Sequence, residues 1–133
     1  MQHVEHIGIA VKNLETAIPI YEKLLNTICY KTESVETENV NTAFFQTGEA
    51  KIELLESSAD DGVIARFIEK KGEGIHHIAF EVADIRAEMK RLMEDGFVLL
   101  NEEPKIGADN KLVCFLHPKD THGVLVELCQ SIL

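Results

Sequence analysis

The sequence predicts an α+β fold: two tandem βαβββ modules whose sheets make an open, cupped, eight-stranded β-sheet barrel with a cavity inside. Three observations predict it. The phrase His6-Ile7-Gly8-Ile9-Ala10-Val11 returns as His77-Ile78-Ala79-Phe80-Glu81-Val82, and such self-similarity marks a duplicated unit. Each copy runs at once into a helix-start residue and a stretch of 3.6-residue apolar period. Each helix is followed by three short runs of β-branched and aromatic residues between turn signals. A four-stranded sheet with one helix leaves its concave face uncovered, so two of them enclose a cavity.

The first module spans about residues 3–57. Its opening strand is 3–11, and Asn13 caps a helix whose apolar positions are Leu14, Ala17, Ile18, Tyr21, Leu24 and Leu25. Pro19 falls inside it, which predicts a kink or a start delayed to about Thr16. Strands follow at 28–36, 40–47 and 51–56, with Asn39 and Gly48-Glu49 at the turns. A connector, 58–74, carries a short helix with Val63, Ile64, Phe67 and Ile68 on one face and Asp60-Asp61 as its start signal. The second module, about 75–130, repeats the order. Its strand is 75–82, and Asp84 caps a helix bearing Ile85, Met89, Leu92 and Met93 that stops at Gly96. Strands are expected at 97–100, 111–117 and 124–129, with a loop at 104–110 and a turn at 120–123.

A chain of 133 residues is one domain's worth and can bury a real core. It contains no apolar run long enough for a membrane span and no secretory signal, which predicts a cytoplasmic protein. Cys29, Cys114 and Cys129 are odd in number and lie in apolar runs, as reduced buried thiols do. The formal charge of -10 argues against nucleic acid, which needs a basic footprint, but not against a small anionic ligand.

The chemistry lies in four residues. The last strand of each module holds a glutamate in an apolar run: Glu53 in Ile52-Glu53-Leu54-Leu55, and Glu127 in Val126-Glu127-Leu128-Cys129. His6 precedes Glu53 by 47 residues and His77 precedes Glu127 by 50. A carboxylate on a buried strand face is costly unless paired or metal-bound. Two histidines and two carboxylates at equivalent places supply a ligand set, and nitrogen and oxygen donors suit zinc, cobalt, nickel, manganese or iron(II). His76 and His77 cannot share a face, and alignment with His6 selects His77. His76 then either supports the ligands from behind or lies on the outer face. His3 is a surface residue, His117 at its strand end could reach a ligand but is expected to cap or lie exposed, and His122 is part of a turn.

At these residues the sequence resembles the vicinal oxygen chelate superfamily, and within it the methylmalonyl-CoA epimerase family. The strand-histidine phrases carry the superfamily. Pro104-Lys105-Ile106-Gly107-Ala108, Phe115-Leu116-His117-Pro118-Lys119-Asp120 and Gly123-Val124-Leu125-Val126-Glu127-Leu128 point to the epimerases. The resemblance spans His3 to about Gln130. It implies a homodimer, a divalent metal (typically cobalt) held by His6, Glu53, His77 and Glu127, and interconversion of the two epimers of an acyl-CoA. Some family members carry glutamine at the Glu53 position. A second glutamate used as an acid/base in one form of the family falls near Thr42, beside Asn41, and neither residue is a base.

Such a reaction removes a proton from a carbon between a thioester and a carboxylate and returns it to the other face. Stabilisation of the developing enolate oxygen is the physical demand, which a Lewis acid meets. Glu127 is the expected base; on the opposite face either Glu53, its pseudo-symmetric mate, carries the proton, or Glu53 stays a plain ligand while water or another group delivers it. Two other readings share the fold: a glyoxalase I-like lactoylthiol lyase, and a metal-free module that sequesters a ligand. Lys105, Lys111 and Lys119 are candidates for CoA phosphate contacts, with a solvated surface place the favoured expectation for each.

Overall fold

The computed structural model describes residues 1–132. The chain forms two compact units, one of His6–His76 and one of Met1–Glu5 together with the chain from His77 onward.

In the first unit the sheet order is β2-β3-β4-β1, with β1 (His3–Ala10), β2 (Lys31–Val35), β3 (Val40–Thr47) and β4 (Ala50–Ser57). β1 and β4 are parallel with Gly8 opposite Glu53, while β4–β3 and β3–β2 are antiparallel. Helix α1 (Leu14–Leu25) begins where Asn13 caps it, its side-chain oxygen accepting from the Thr16 N–H at 3.2 Å. The start is not delayed by Pro19, which is exposed and inside the helix. The one ladder bond it removes would have gone to the Glu15 carbonyl, in the exposed first turn. α1 lays Leu14, Ala17, Ile18, Tyr21 and Leu25 against Ile9, Ala43, Phe45, Ile52 and Leu54. Leu24, expected on that stripe, falls at its margin and is 70% exposed.

The connector helix α2 (Val63–Lys71) packs Ile64, Phe67 and Ile68 on the other face of this sheet, over Ala10, Val40 and Leu55. Val63, expected beside them, is exposed. Nor do Asp60 and Asp61 cap the helix: the cap is Gly62, with no side-chain bond. A Cβ at Gly62 would meet the Ser57 hydroxyl at 2.8 Å, so this crowded start excludes the larger capping residues. Strand β2 is shorter than expected. The Cys29 N–H donates to the Glu22 carboxylate of α1, which ties 28–30 to the helix, and Glu36–Glu38 turn as a 3-10 segment ending in left-handed Asn39.

The second unit repeats the plan with order β5-β8-β7-β6: β5 (Gly74–Glu81), β6 (Lys105–Ile106), β7 (Lys111–Leu116) and β8 (Val126–Ser131). β5 and β8 are parallel, with Ala79 opposite Glu127. Helix α3 (Ile85–Glu94) is capped by Asp84, which accepts from the Ala87 N–H at 3.1 Å. It buries Ile85, Met89 and Leu92 against Val82, Cys114, Leu116 and Leu128, while Met93 turns to solvent. Gly96 follows with φ +94, the conformation a helix end requires.

The strand expected at 97–100 does not form, leaving one isolated bridge, Leu99–Leu116. Side chains take the bonds a ladder would use. The Val98 N–H donates to the Asp120 carboxylate at 2.7 Å, and the Phe115 N–H donates to the Asn101 side chain at 2.9 Å. The short β6, inside the segment expected to be loop, pairs with β7 instead.

Cys114 and Cys129 are buried free thiols, and Cys29 is half-buried. Burial pushes the Cys114 thiol from 9.0 up to about 11, and moves Cys129 the same way. Unfolded thiols ionise near 9.0, so this stabilisation is complete below that pH and is lost as pH rises through about 11. An alkaline titration should therefore show the thiolate absorbance of Cys114 and Cys129 rising together with unfolding; ionisation of these two thiols near pH 9 in still-folded protein would contradict it. Among the described residues, no helix is long and apolar enough to cross a membrane.

Candidate metal centre and active site

In each unit one helix takes one face of the sheet, α1 in the first and α3 in the second. The alternation that gives Ile7 and Ile9 to the α1 side turns His6 and Gly8 to the other. The register then sets Glu53 beside Gly8, with Phe44 on its far flank. His6 Nε2 lies 3.2 Å from Glu53 Oε1. The second unit builds the same pair. Glu127 stands between Ala79 and Phe115, and its Oε1 lies 3.2 Å from His77 Nε2. The His77 ring meets Phe115 edge to face, with centroids 5.8 Å apart at 85°.

All four residues are buried, at 6% exposure for His6, 4% for Glu53, and 5% for both His77 and Glu127. Two buried carboxylates facing imidazole nitrogens fit a divalent cation in donor type. The same atoms form charge-assisted pairs when the imidazoles are protonated. The structure thus brings His6 to Glu53 and His77 to Glu127, as the sequence order suggests.

The remaining histidines fall where expected, with one shift. His76 points away from His77 and sets its ring edge-on to Phe67 of α2 at 4.9 Å. His117 accepts from the Lys119 N–H through Nδ1 and so caps the turn 118–121. His122 closes that turn with φ 56, while His3 is half-buried rather than a plain surface residue.

Thr42 and Asn41 are no proton carriers. The Thr42 hydroxyl is buried and donates to the Glu33 carbonyl at 3.0 Å. Asn41 faces the other way, toward Ser34 and Glu56.

Lys111 is not a surface phosphate contact. It is 8% exposed, and its Nζ lies 2.9 Å from Glu81 Oε1, 2.7 Å from Ser131 Oγ and 3.8 Å from Glu5 Oε2. Sequence reasoning missed this cluster although its signal is present: Lys111 alternates with Val113 and Phe115, which puts it on the inward row of β7. Of the other two lysines, Lys105 is half-buried and Lys119 exposed.

A family model described as the glyoxalase/bleomycin resistance protein/dioxygenase superfamily matches residues 5–115. An uncharacterized Bacillus subtilis protein, YqjC, is 41% identical over 98% of this chain and 93% of its own. The ethylmalonyl-CoA/methylmalonyl-CoA epimerase of Cereibacter sphaeroides is 44% identical over 96% of both chains. Among solved structures, a variant of the Streptomyces coelicolor methylmalonyl-CoA epimerase in complex with 2-nitronate-propionyl-CoA matches with a TM-score of 0.94. It is 34% identical and covers 100% of this chain and 99% of its own. Repeated βαβββ units, a buried histidine–glutamate pair in each and this likeness along the whole chain agree: the chain belongs to the glyoxalase/bleomycin resistance protein/dioxygenase superfamily and, within it, to the methylmalonyl-CoA epimerase family.

Proposed function

We propose that the protein interconverts the (R) and (S) forms of methylmalonyl-CoA by 1,1-proton transfer, with His6, Glu53, His77 and Glu127 holding one divalent cation and the two units working as one domain. The observation that carries this reading is the buried His–Glu pair at equivalent positions of both units. The donor types, two imidazole nitrogens and two carboxylates, support it. The family resemblance read in the sequence implies cobalt(II) as the resident cation, with zinc, nickel or manganese as substitutes, and a homodimer as the working assembly.

A divalent cation there supplies the Lewis-acid stabilisation that charge developing on the thioester oxygen requires. The chain's own residues do the rest. Glu127 takes the α-proton from one face through a carboxylate oxygen. Glu53 in its carboxylic-acid form, or a water beside it, gives a proton to the other face, which inverts the carbon and leaves Glu127 protonated and that donor deprotonated. The burial of both carboxylates keeps bulk water from the carbanionic stage, and Phe44 and Phe115 form apolar walls beside them.

Proton NMR of methylmalonyl-CoA in deuterium oxide tests the proposal. Cobalt-loaded protein should erase the α-proton signal rapidly, and the His77→Ala variant should not. Failure of metal-loaded wild-type protein to exchange that proton would sink the epimerase reading.

A further inference from the structure

The Lys111 ammonium gathers groups from three strands: Glu5 of β1, Glu81 of β5 and Ser131 of β8. Each of those strands also carries one proposed ligand. Glu5 directly precedes His6, Glu81 lies four residues beyond His77 on β5, and Ser131 lies four beyond Glu127 on β8. The cluster is tied further by the Ser131 N–H, which donates to Glu81 Oε2 at 3.4 Å, and by the Cys129 thiol against Glu81 Oε1 at 3.9 Å. Lys111 and Glu5 are buried, so these contacts are shielded from competing water and from salt.

We infer that Lys111 is a positioning residue for the metal centre: by clamping Glu5, Glu81 and Ser131 it fixes the strands that carry His6, His77 and Glu127. This rests on the four-residue metal reading proposed above. Donor atoms hold a cation well only when their strands cannot slide, and outer partners of ligands change metal affinity about 10- to 100-fold. Glu5 is the arm nearest a ligand. Its replacement by leucine removes one charge and leaves the Lys111–Glu81 pair balanced.

The test is cobalt(II) binding to the full chain, read by chelator competition and by the visible ligand-field bands of the bound ion. Glu5→Leu should bind cobalt on the order of tenfold more weakly than wild type and shift the bands, since the geometry at His6 changes. A loss of stability alone would leave the bands in place. A folded Glu5→Leu protein with wild-type affinity and bands would overturn the assignment. Should Glu5→Leu not fold, Ser131→Ala takes its place: it keeps both ion pairs, and unchanged cobalt affinity and bands in it would overturn the assignment equally. A wild-type protein that binds no cobalt defeats the metal reading itself, which is a separate outcome.

Discussion

Glu127→Gln is expected to retain bound metal and to lose α-proton exchange from one epimer of methylmalonyl-CoA by about 10²- to 10⁴-fold, the usual worth of a general base. The carboxamide keeps an oxygen for coordination and keeps the side chain's length, so the ligand role survives while the proton-accepting role does not. The opposite epimer should still exchange, because its proton leaves from the Glu53 side. Glu53→Gln tests the other face. Loss of exchange from the opposite epimer would assign Glu53 as its acid/base, and retained exchange, in line with the family members that carry glutamine there, would leave it a plain ligand. Epimerisation, which needs both faces, should fail in Glu127→Gln. Deuterium incorporation followed separately from each pure epimer reads all of this. Wild-type exchange from both epimers in Glu127→Gln would remove Glu127 from the proton path and reduce it to a ligand.

Lys111→Met carries the largest expected effect on stability. It leaves the buried Glu5 and the half-buried Glu81 with their shared ammonium gone. Breaking a buried ion pair from one side costs about 3–5 kcal/mol, because the abandoned charge keeps its desolvation penalty. Urea unfolding should show this loss in the single variant. Removing the whole set, in Lys111→Met/Glu5→Leu/Glu81→Leu, should restore most of it, since apolar side chains of similar volume often match a buried ion cluster. A triple variant as unstable as the single one would mean that shape, not charge, makes the cluster indispensable.

The sequence carried the strand alternation that places His6 with Glu53 and His77 with Glu127, because period-two patterning and a duplicated order are local facts. It carried the caps at Asn13 and Asp84 for the same reason, since each side chain reaches an amide only three residues on. What escaped it depends on partners far along the chain. Residues 97–100 have the composition of a strand, but Asp120 takes the Val98 amide from 22 residues away. Gly62 starts α2 instead of two better capping residues because Asp60 and Asp61 lie inside a turn closed by the Gly62 N–H to the Ala59 carbonyl, and the Ser57 hydroxyl leaves no room for a Cβ at position 62. Lys111 was hidden by habit: a lysine reads as surface until its neighbours on the row show that it is not.

The two units solve one problem in different materials. In the first, Ala10, Val40 and Leu55 at the end of the open face are roofed by α2, so any one can drift among apolar residues of similar size. The equivalent positions of the second unit hold Glu81, Lys111 and Cys129, with Glu5 completing the charge set. No single substitution leads from that set to an apolar floor without passing through an uncompensated buried charge. Positions 81 and 111 are therefore coupled, since changing either alone strands a charge, whereas each apolar position of the first unit can change by itself.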